Sequence, residues 1–201
     1  MGTNTTTQRE WEIGLSSWII QDGNYSDFIV GQHAEFALEF YSQTYRKSDL
    51  QARSAKGLGA AKYDIIGEVI YLTSEVWVLD FGICAFQESK PPNGLSVGKF
   101  VTTEIYLGID HFFYFERLYT LPRIPALVYS WKIDSIHQQT APFLETREPS
   151  GQKVLVRDEK KLGYKMIEKT DAWKDDDGHA EYVLSCTRLD VPPQVKSATA
   201  T

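Results

Sequence analysis

Residues 91–100, PPNGLSVGKF, contain a serine in the Gly-x-Ser-x-Gly spacing that serine hydrolases use for their nucleophile. In those enzymes the serine stands on a sharp turn between a strand and a helix, and an acid and a histidine follow it in the chain. Here Ser96 follows a Pro-Pro-Asn-Gly turn and leads into the β-rich segment KFVTTEIYL. We therefore interpret this segment as a loop that leads into a strand, and we assign no catalytic residue.

Residues 57–62, GLGAAK, contain the first two glycines of a phosphate-binding loop. The segment lacks the third glycine of a dinucleotide motif and the Gly-Lys-Ser/Thr of a Walker loop. Both kinds of site also need a helix after the glycines, because the helix N-terminus binds the phosphate. The following segment, YDIIGEVIYL, is instead typical of a strand. We predict no nucleotide cofactor.

The sequence contains no spacing typical of a metal site. The acidic run at residues 175–178, DDDG, resembles part of a calcium loop, but the required register places Trp173 where the first aspartate ligand belongs. We expect a solvated turn there. The four histidines show no ligand spacing; they are His33, His111, His137 and His179. We predict no metal.

Glu35 and Glu39 are spaced to project from the same face of a strand, as paired catalytic acids would. Phe36, Leu38 and Phe40 lie on the other face, which the alternation assigns to the core. We therefore expect both glutamates on the solvent face and predict no acid-base chemistry from them.

A binding site is indicated by aromatic and basic residues that alternate between residues 117 and 132. Barrels that bind single-stranded nucleic acid place stacking rings beside cations. The alternative is a purely structural role, in which the rings fill the core while the cations surround it, and the acidic balance of the chain favours this alternative. The candidate residues are Arg117, Tyr119, Arg123, Tyr129, Trp131 and Lys132.

The composition is that of an ordinary globular domain. The 201 residues include 42% hydrophobic and 24% charged residues, enough for one full core. Because 27 acids outnumber 21 Lys and Arg residues, the net charge of −6 disfavours a nucleic-acid partner. Cys84 and Cys186 follow no disulfide or metal pattern, which is typical of a reducing compartment, so we expect a cytoplasmic protein. The sequence shows neither a signal peptide nor an apolar run long enough to cross a membrane.

Three segments show the period of two that is typical of strands. They are AEFALEFYSQTYR from residue 34, VWVLDFGICAF from residue 76 and LVYSWKIDSIH from residue 127. The second, read as one strand, places Trp77, Leu79, Phe81, Ile83 and Ala85 on one face. Between the second and third strands, Asp110 is positioned to cap a short helix in which Phe112, Phe115 and Tyr119 share a face.

Two segments of the chain resemble each other. Residues 11–40 and 77–107 both begin with Trp, reach a Gln followed by an acid ten residues later, pass a turn-rich loop and resume at Val-Gly. This predicts two similar hairpin units, either a duplication or a convergence on common hairpin sequences. In the C-terminal part, charged strands from about 150 to 190 predict a meander with a hairpin turn at Asp177-Gly178.

The predicted fold class is mainly β. We expect a single closed or strongly coiled antiparallel β-barrel or sandwich over residues 10–190, with two similar hairpin units, one short helix and a C-terminal β-meander. Residues 1–9 and 191–201 are expected to be disordered tails.

The sequence favours a non-enzymatic binding protein that engages a protein partner, or a second copy of itself, through the charged meander or an exposed sheet edge. Two alternatives stay open. One is a single-stranded nucleic-acid-binding barrel that uses the region from Arg117 to Lys132. The other is a carrier or enzyme with a pocket for a small apolar ligand inside the barrel.

Overall fold

The computed structural model describes residues 9–148 and 151–195, so most of both predicted tails lies outside the described residues. The fold is mainly β with two short helices. The strands are β1 (Glu10–Ser16), β2 (His33–Phe36), β3 (Leu38–Tyr41), β4 (Arg46–Lys47), β5 (Ser54–Gly59), β6 (Lys62–Leu72), β7 (Trp77–Asp80), β8 (Cys84–Gln87), β9 (Phe100–Ile109), β10 (Tyr129–Gln139), β11 (Phe143–Arg147), β12 (Lys153–Arg157), β13 (Tyr164–Ile167) and β14 (Glu181–Arg188). The helices are α1 (Ser17–Gln21) and α2 (Phe113–Glu116), and short 3-10 turns cover Leu118–Thr120, Glu159–Lys161 and Asp175–Gly178.

Five strands close into a barrel, which confirms the predicted fold class. The ring runs β3-β9-β6-β7-β8, and β8 pairs back to β3. All of these pairings are antiparallel except the β3–β8 contact. The sheet continues outside the ring through β1, β14, β10 and β13. The helices of the described residues are all too short or too polar to cross a membrane.

The main core fills the space that the sheet encloses. As the alternation predicts, Phe36, Leu38 and Phe40 are buried there. Trp77 is buried there too, and the centroids of its ring and the Phe40 ring are 5.0 Å apart. Trp131 stacks on Phe36 with ring centroids 5.5 Å apart. Burying a large side chain contributes about 1.5–3 kcal/mol, so these rings account for much of the stability.

A second, smaller core covers the outer face of the barrel at β7 and β8. Val78 and Phe86 point outward and pack against Tyr114 in α2 and the chain that follows it. The Asp110 carboxylate accepts the N–H groups of Phe113 and Tyr114 at 2.8 and 3.0 Å, so it binds the start of α2 as predicted. The helix is shorter than predicted, however, because Phe112 is the residue before it and Tyr119 lies in the following 3-10 turn. Apolar residues therefore lie on both faces of this part of the sheet.

The segment from residue 76 to 86 was predicted as one strand, and this is wrong. The chain folds back at Gly82, so β7 and β8 form a tight hairpin. Gly82 has a φ of 114°, which residues other than glycine rarely adopt. Its N–H donates a hydrogen bond to the Asp80 carboxylate at 3.0 Å. The residues assigned to the core face, including Phe81 and Ile83, are nevertheless all buried.

The two similar segments are paired differently in the sheet. In the first, β1 pairs with β14 and β2 with β10, whereas in the second, β7 pairs with β8 and β9 pairs with β6 and β3. Trp11 and Trp77 are both buried in the main core. The likeness between the segments therefore does not extend to strand pairing.

The C-terminal strands do not form the predicted meander. β12 pairs with β11, while β13 and β14 pair with opposite edges of β10. The predicted hairpin turn at Asp177-Gly178 is also wrong, because residues 175–178 form an irregular turn with positive φ at Asp176 and Asp177, and the strands on either side of it, β13 and β14, do not pair with each other. The connection between β13 and β14 must therefore pass from one edge of β10 to the other. Gln194, placed in the predicted C-terminal tail, exchanges two backbone hydrogen bonds with Val128.

The barrel contacts the rest of the sheet at β1, through one backbone bridge and nearby hydrogen bonds. Gly14 in β1 forms a parallel bridge with Gly108 in β9, and the ring of Tyr106 lies against both glycines. Beside it, Tyr63 in β6 accepts the N–H of Glu12 at 2.6 Å and donates to its carbonyl at 3.1 Å. A side chain at Gly14 would occupy the place of the tyrosine, since its Cβ would lie 1.7 Å from the Tyr106 hydroxyl.

We predict that Gly14→Ala lowers the free energy of unfolding by about 1–3 kcal/mol, the usual cost of overpacking. The loss should be much smaller in a Tyr106→Ala background, because the clashing ring is then gone. Urea denaturation measures both. Gly57→Ala is the matched control, since its added Cβ meets only ordinary contacts. An equal loss in both backgrounds would contradict the packing described here.

Candidate ligand-binding groove

Tyr106 lies on the outer face of the barrel, on β9 between β6 and β3. It pairs with Lys62 on one side and with Tyr41 on the other. Cross-strand partners project from the same face of a sheet, so these three side chains lie side by side. Burial, followed by the charge of Glu181, raises the pKa of Tyr106 well above its ordinary value. Its hydroxyl therefore remains protonated and able to donate a hydrogen bond.

A cavity opens on each side of Tyr106. The first, of about 630 Å³, lies between the tip of the β5–β6 hairpin and the ends of β10, β13 and β14. The second, of about 650 Å³, lies beside β3 and the loop that follows it. Both are lined by Lys62 and Tyr106, so they adjoin. We call the two together the Tyr106 groove.

The first cavity has apolar walls and an acidic group. Leu58, Leu162 and Tyr164 provide exposed apolar surface around it. Glu181 also lines it and accepts the hydroxyl of Ser16 at 2.6 Å. Burial raises the pKa of Glu181, although the Ser16 hydrogen bond and the charge of Arg157 oppose the increase. The groove therefore offers apolar contacts together with a carboxyl group that is easier to protonate than usual.

Lys62 is the free cation of this groove. It is exposed, lines both cavities and has no ion-pair partner among the residues that the structure describes. Arg157, the other cation at the first cavity, is already paired with Asp176 at 2.5 Å. An anionic group on a ligand would therefore be attracted to Lys62.

A buried acidic cluster lies beside the second cavity, contrary to the prediction that Glu39 faces solvent. Glu39 is only 4% exposed, because the chain after β9 covers this part of β3. Its Oε2 accepts the hydroxyl of Tyr41 and lies 3.9 Å from Nδ1 of His111. The Tyr41 hydroxyl is in turn 3.4 Å from Nε2 of His111. Glu35, by contrast, is exposed as predicted.

The cluster contains a second carboxyl group, that of Asp110, which is 0% exposed. Burial and the neighbouring charge of Glu39 raise the pKa of Asp110, and the N–H groups that it accepts oppose this only in part. Two carboxyl groups in such an environment are most stable when they share a proton. Tyr25 is close enough for both acids to raise its pKa, in addition to the effect of its burial.

The hydroxyl of Tyr25 is buried without a hydrogen-bond partner in the described part of the chain, and Oε1 of Glu39 has none unless Asp110 carries a proton. Such a group typically costs about 1–3 kcal/mol. Perturbed acids and unsatisfied polar atoms concentrate at functional sites, so the cluster extends the candidate site beneath Tyr41.

Two of the three aromatic residues of the predicted binding region, Tyr129 and Trp131, are buried in the main core. Trp131 is 0% exposed and packs on Phe36, and its Nε1 donates to the Phe36 carbonyl at 3.4 Å. Tyr129 is also buried, and its hydroxyl accepts the N–H of Cys84 at 2.7 Å. Tyr119 is half-buried against the second core. A nucleic-acid base could reach the first two rings only if the core opened.

The cations of that region do not form one surface with the rings. Arg117 pairs with Glu88 at 2.5 Å and lies over the ring of Phe113. Lys132 pairs with Asp134 at 3.0 Å. Arg123 is exposed in the loop before β10. In the structure, therefore, the rings of Tyr129 and Trp131 lie within the main core, and the three cations are exposed apart from them.

The rejected motifs lie where the sequence predicts them. Ser96 is in the loop before β9, and residues 57–62 form the end of the β5–β6 hairpin rather than a loop before a helix. Cys84 and Cys186 are not bonded to each other. Within residues 9–148 and 151–195, no group of three or more His, Cys, Asp or Glu side chains is arranged to hold a metal.

The sequence reasoning missed the groove, although one signal was present. Gly14 and Gly108 both interrupt strand patterns, and a glycine inside a strand often marks the close approach of another group. That group is Tyr106. Comparison of the chain with models of known families, with curated proteins and with solved structures found no match.

We predict that stability depends on pH through the buried carboxyl pair. Because its pKa is raised, folded Asp110 keeps its proton at pH values where the unfolded chain has lost it. The folded state then binds more protons, so the free energy of unfolding falls as pH rises from the ordinary carboxyl range through the raised pKa. Glu39→Gln removes the neighbouring charge and should flatten this decline.

Urea denaturation between pH 4.5 and 8 tests the pair. Glu75→Gln, which neutralises an exposed acid, should leave the slope unchanged. Glu181 contributes a decline of its own in all three proteins, so the comparison depends on the difference in slope. Parallel profiles for wild type and Glu39→Gln would show that the two carboxyl groups are not coupled.

Proposed function

We propose that the protein is a non-enzymatic binding protein whose Tyr106 groove holds an elongated amphipathic organic molecule with an acidic group. The observation that supports this most directly is the arrangement of two adjoining cavities that share a tyrosine and an unpaired lysine. The barrel interior, where the sequence alone would place a pocket, is filled by the main core. The groove instead opens on the outer face.

The size of the groove supports a small-molecule ligand. Ligand pockets commonly have volumes of about 300–1,000 Å³, and each of the two cavities lies within that range. A molecule that crosses Tyr106 would contact both cavities, with its apolar part against Leu162 and Tyr164. Its acidic group would then lie near Lys62 at the junction.

The state of the tyrosines favours binding over acid-base catalysis. Burial raises the pKa of Tyr106, and burial together with Glu39 raises that of Tyr41, so both phenols stay neutral. A neutral phenol with a raised pKa is a poor general acid or base at neutral pH. It remains a hydrogen-bond donor and an apolar surface, which suits the recognition of a ligand.

We predict that anilinonaphthalene sulfonate, an aromatic anion, binds the groove and that Lys62→Gln weakens this binding about tenfold. A charge-assisted contact of about 1.4 kcal/mol corresponds to that factor. Fluorescence titration measures the affinity. Lys169→Gln removes an equal charge outside the groove and should have no effect. Equal affinities for wild type and Lys62→Gln would contradict the proposal.

The β11–β12 hairpin supports a second candidate function, which is self-association. Among the described residues, β11 and β12 pair only with each other, and isolated two-stranded sheets are marginally stable in water. Leu144 and Val156 are directly opposite each other and 46% and 44% exposed. A second copy would cover this apolar face by a symmetric contact between equivalent hairpins.

We predict that Leu144→Asp shifts such an assembly toward monomer, because the introduced charge would be buried in the contact. Analytical ultracentrifugation over a range of concentrations measures the shift. Arg147→Gln changes the charge on the opposite face of the same hairpin and serves as the control. A wild-type protein that stays monomeric at all concentrations would remove this candidate.

A further inference from the structure

A third cavity, of about 630 Å³, lies beyond Arg157 and Glu181 on the side away from Tyr106. It is formed between α1 and the 3-10 turn at residues 175–178, and Trp18 and Phe143 provide exposed rings at its wall. We call it the Trp18 cavity. It adjoins the Tyr106 groove, because Arg157 and Glu181 line both. Trp18 and Asp177 line only this cavity, so a ligand held by them could bind whether or not the groove has the function proposed for it.

One side of this cavity already binds a cation from the protein itself. The guanidinium of Arg157 lies 4.5 Å from the ring centroid of Phe143 and 2.5 Å from the Asp176 carboxylate. It also donates to the carbonyls of Ala141 and His179 at 3.0 and 2.7 Å. An aromatic face combined with a carboxylate is a favourable environment for a guanidinium.

The cavity contains a second aromatic ring and a second carboxylate, and neither of them has a Lys or Arg partner among the described residues. Trp18 is 42% exposed, and its ring is held edge-on against His111 at 4.4 Å. Asp177 lines the cavity, is exposed and has no hydrogen bond or ion pair within the described ranges. A ring and a carboxylate are thus both available to a cation from outside.

The position of Asp177 is fixed by the helix that carries Trp18. Both Asp176 and Asp177 have positive φ angles, near 50°, in a turn that other residues must hold. Ser17 and Gln21 of α1 each donate a hydrogen bond of 2.8 Å to the carbonyl of Gly178. The carboxylate and the indole ring are therefore attached to one supported unit.

The charges of the cavity also favour a cation. Arg157 pairs with Asp176, which leaves two further acidic side chains in the lining, those of Asp177 and Glu181. The chain as a whole carries a net charge of −6, so the surrounding field attracts cations as well.

We propose that the Trp18 cavity binds a guanidinium or alkylammonium group between Trp18 and Asp177. The group belongs either to a small organic cation or to an arginine or lysine side chain of a peptide. Both sources offer the same chemistry to the site, namely a delocalised or alkylated positive charge that contacts the indole face while the carboxylate neutralises it.

Methylguanidinium is the probe that tests this site, with methylurea as a neutral molecule of the same shape. The indole N–H of Trp18 in ¹⁵N-labelled protein reports binding by NMR. We expect a saturable shift of the Trp18 signal in the millimolar range with methylguanidinium only. Trp173, which is exposed but does not line the cavity, provides an internal control signal that should not move.

Asp177→Asn should weaken the binding about fivefold, the upper range for a partly exposed ion pair. Asparagine tolerates the positive φ of this position, so the turn is preserved. Asp22→Asn removes the same charge next to α1 but outside the cavity, and should leave the affinity unchanged. An acetylated Gly-Arg-Gly peptide distinguishes the sources: tighter binding than methylguanidinium identifies a peptide side chain, and equal or weaker binding identifies a free cation.

The proposal is overturned by any of three results. The first is that methylurea shifts the Trp18 signal as strongly as methylguanidinium does. The second is that the shift with methylguanidinium fails to saturate, and the third is that the Asp177→Asn and Asp22→Asn variants bind the probe equally well.

Discussion

The bridge between Gly14 and Gly108 is the contact on which both the fold and the groove depend. It joins the closed barrel to β1, and through β1 to the part of the sheet formed by β14 and β10. Because neither residue has a side chain, the ring of Tyr106 lies against the backbone at this junction. The same two glycines thus connect the two parts of the sheet and place the tyrosine that divides the groove. A larger residue at Gly14 would disturb both.

The buried carboxyl pair shows how a structural role and a candidate functional role coincide. Asp110 holds the first turn of α2, and α2 covers the second core. The cost of burying Asp110 next to Glu39 is reduced when the two groups share a proton. Tyr41 connects this pair to the second cavity, since its hydroxyl contacts Glu39 while the residue lines the cavity. A ligand in that cavity would therefore lie close to the buried carboxyl pair.

The sequence predicts the fold class and the core faces well because alternation records which side of a strand is buried. Phe36, Leu38 and Phe40 are examples, and the cap at Asp110 is another. The predictions that are wrong concern which segments cover the polar face of a strand. Glu39 follows the polar half of the alternation, yet it is buried by a segment about 70 residues further along the chain. Similarly, the groove arises where β6 and β9 lie next to β3 on one side and the ends of β13 and β14 on the other, and periodicity carries no information about pairings between distant strands. The rings of Tyr129 and Trp131 were ambiguous for the same reason.

The most direct test of the Tyr106 groove as the ligand site is a crystal structure of the protein with anilinonaphthalene sulfonate bound. We expect the aromatic part of the probe to lie against Tyr106 on the outer face of the barrel and the sulfonate to lie within ion-pair distance of the Lys62 ammonium group. A probe bound inside the barrel, or only against the β11–β12 hairpin, would contradict the central claim that the Tyr106 groove is the ligand site.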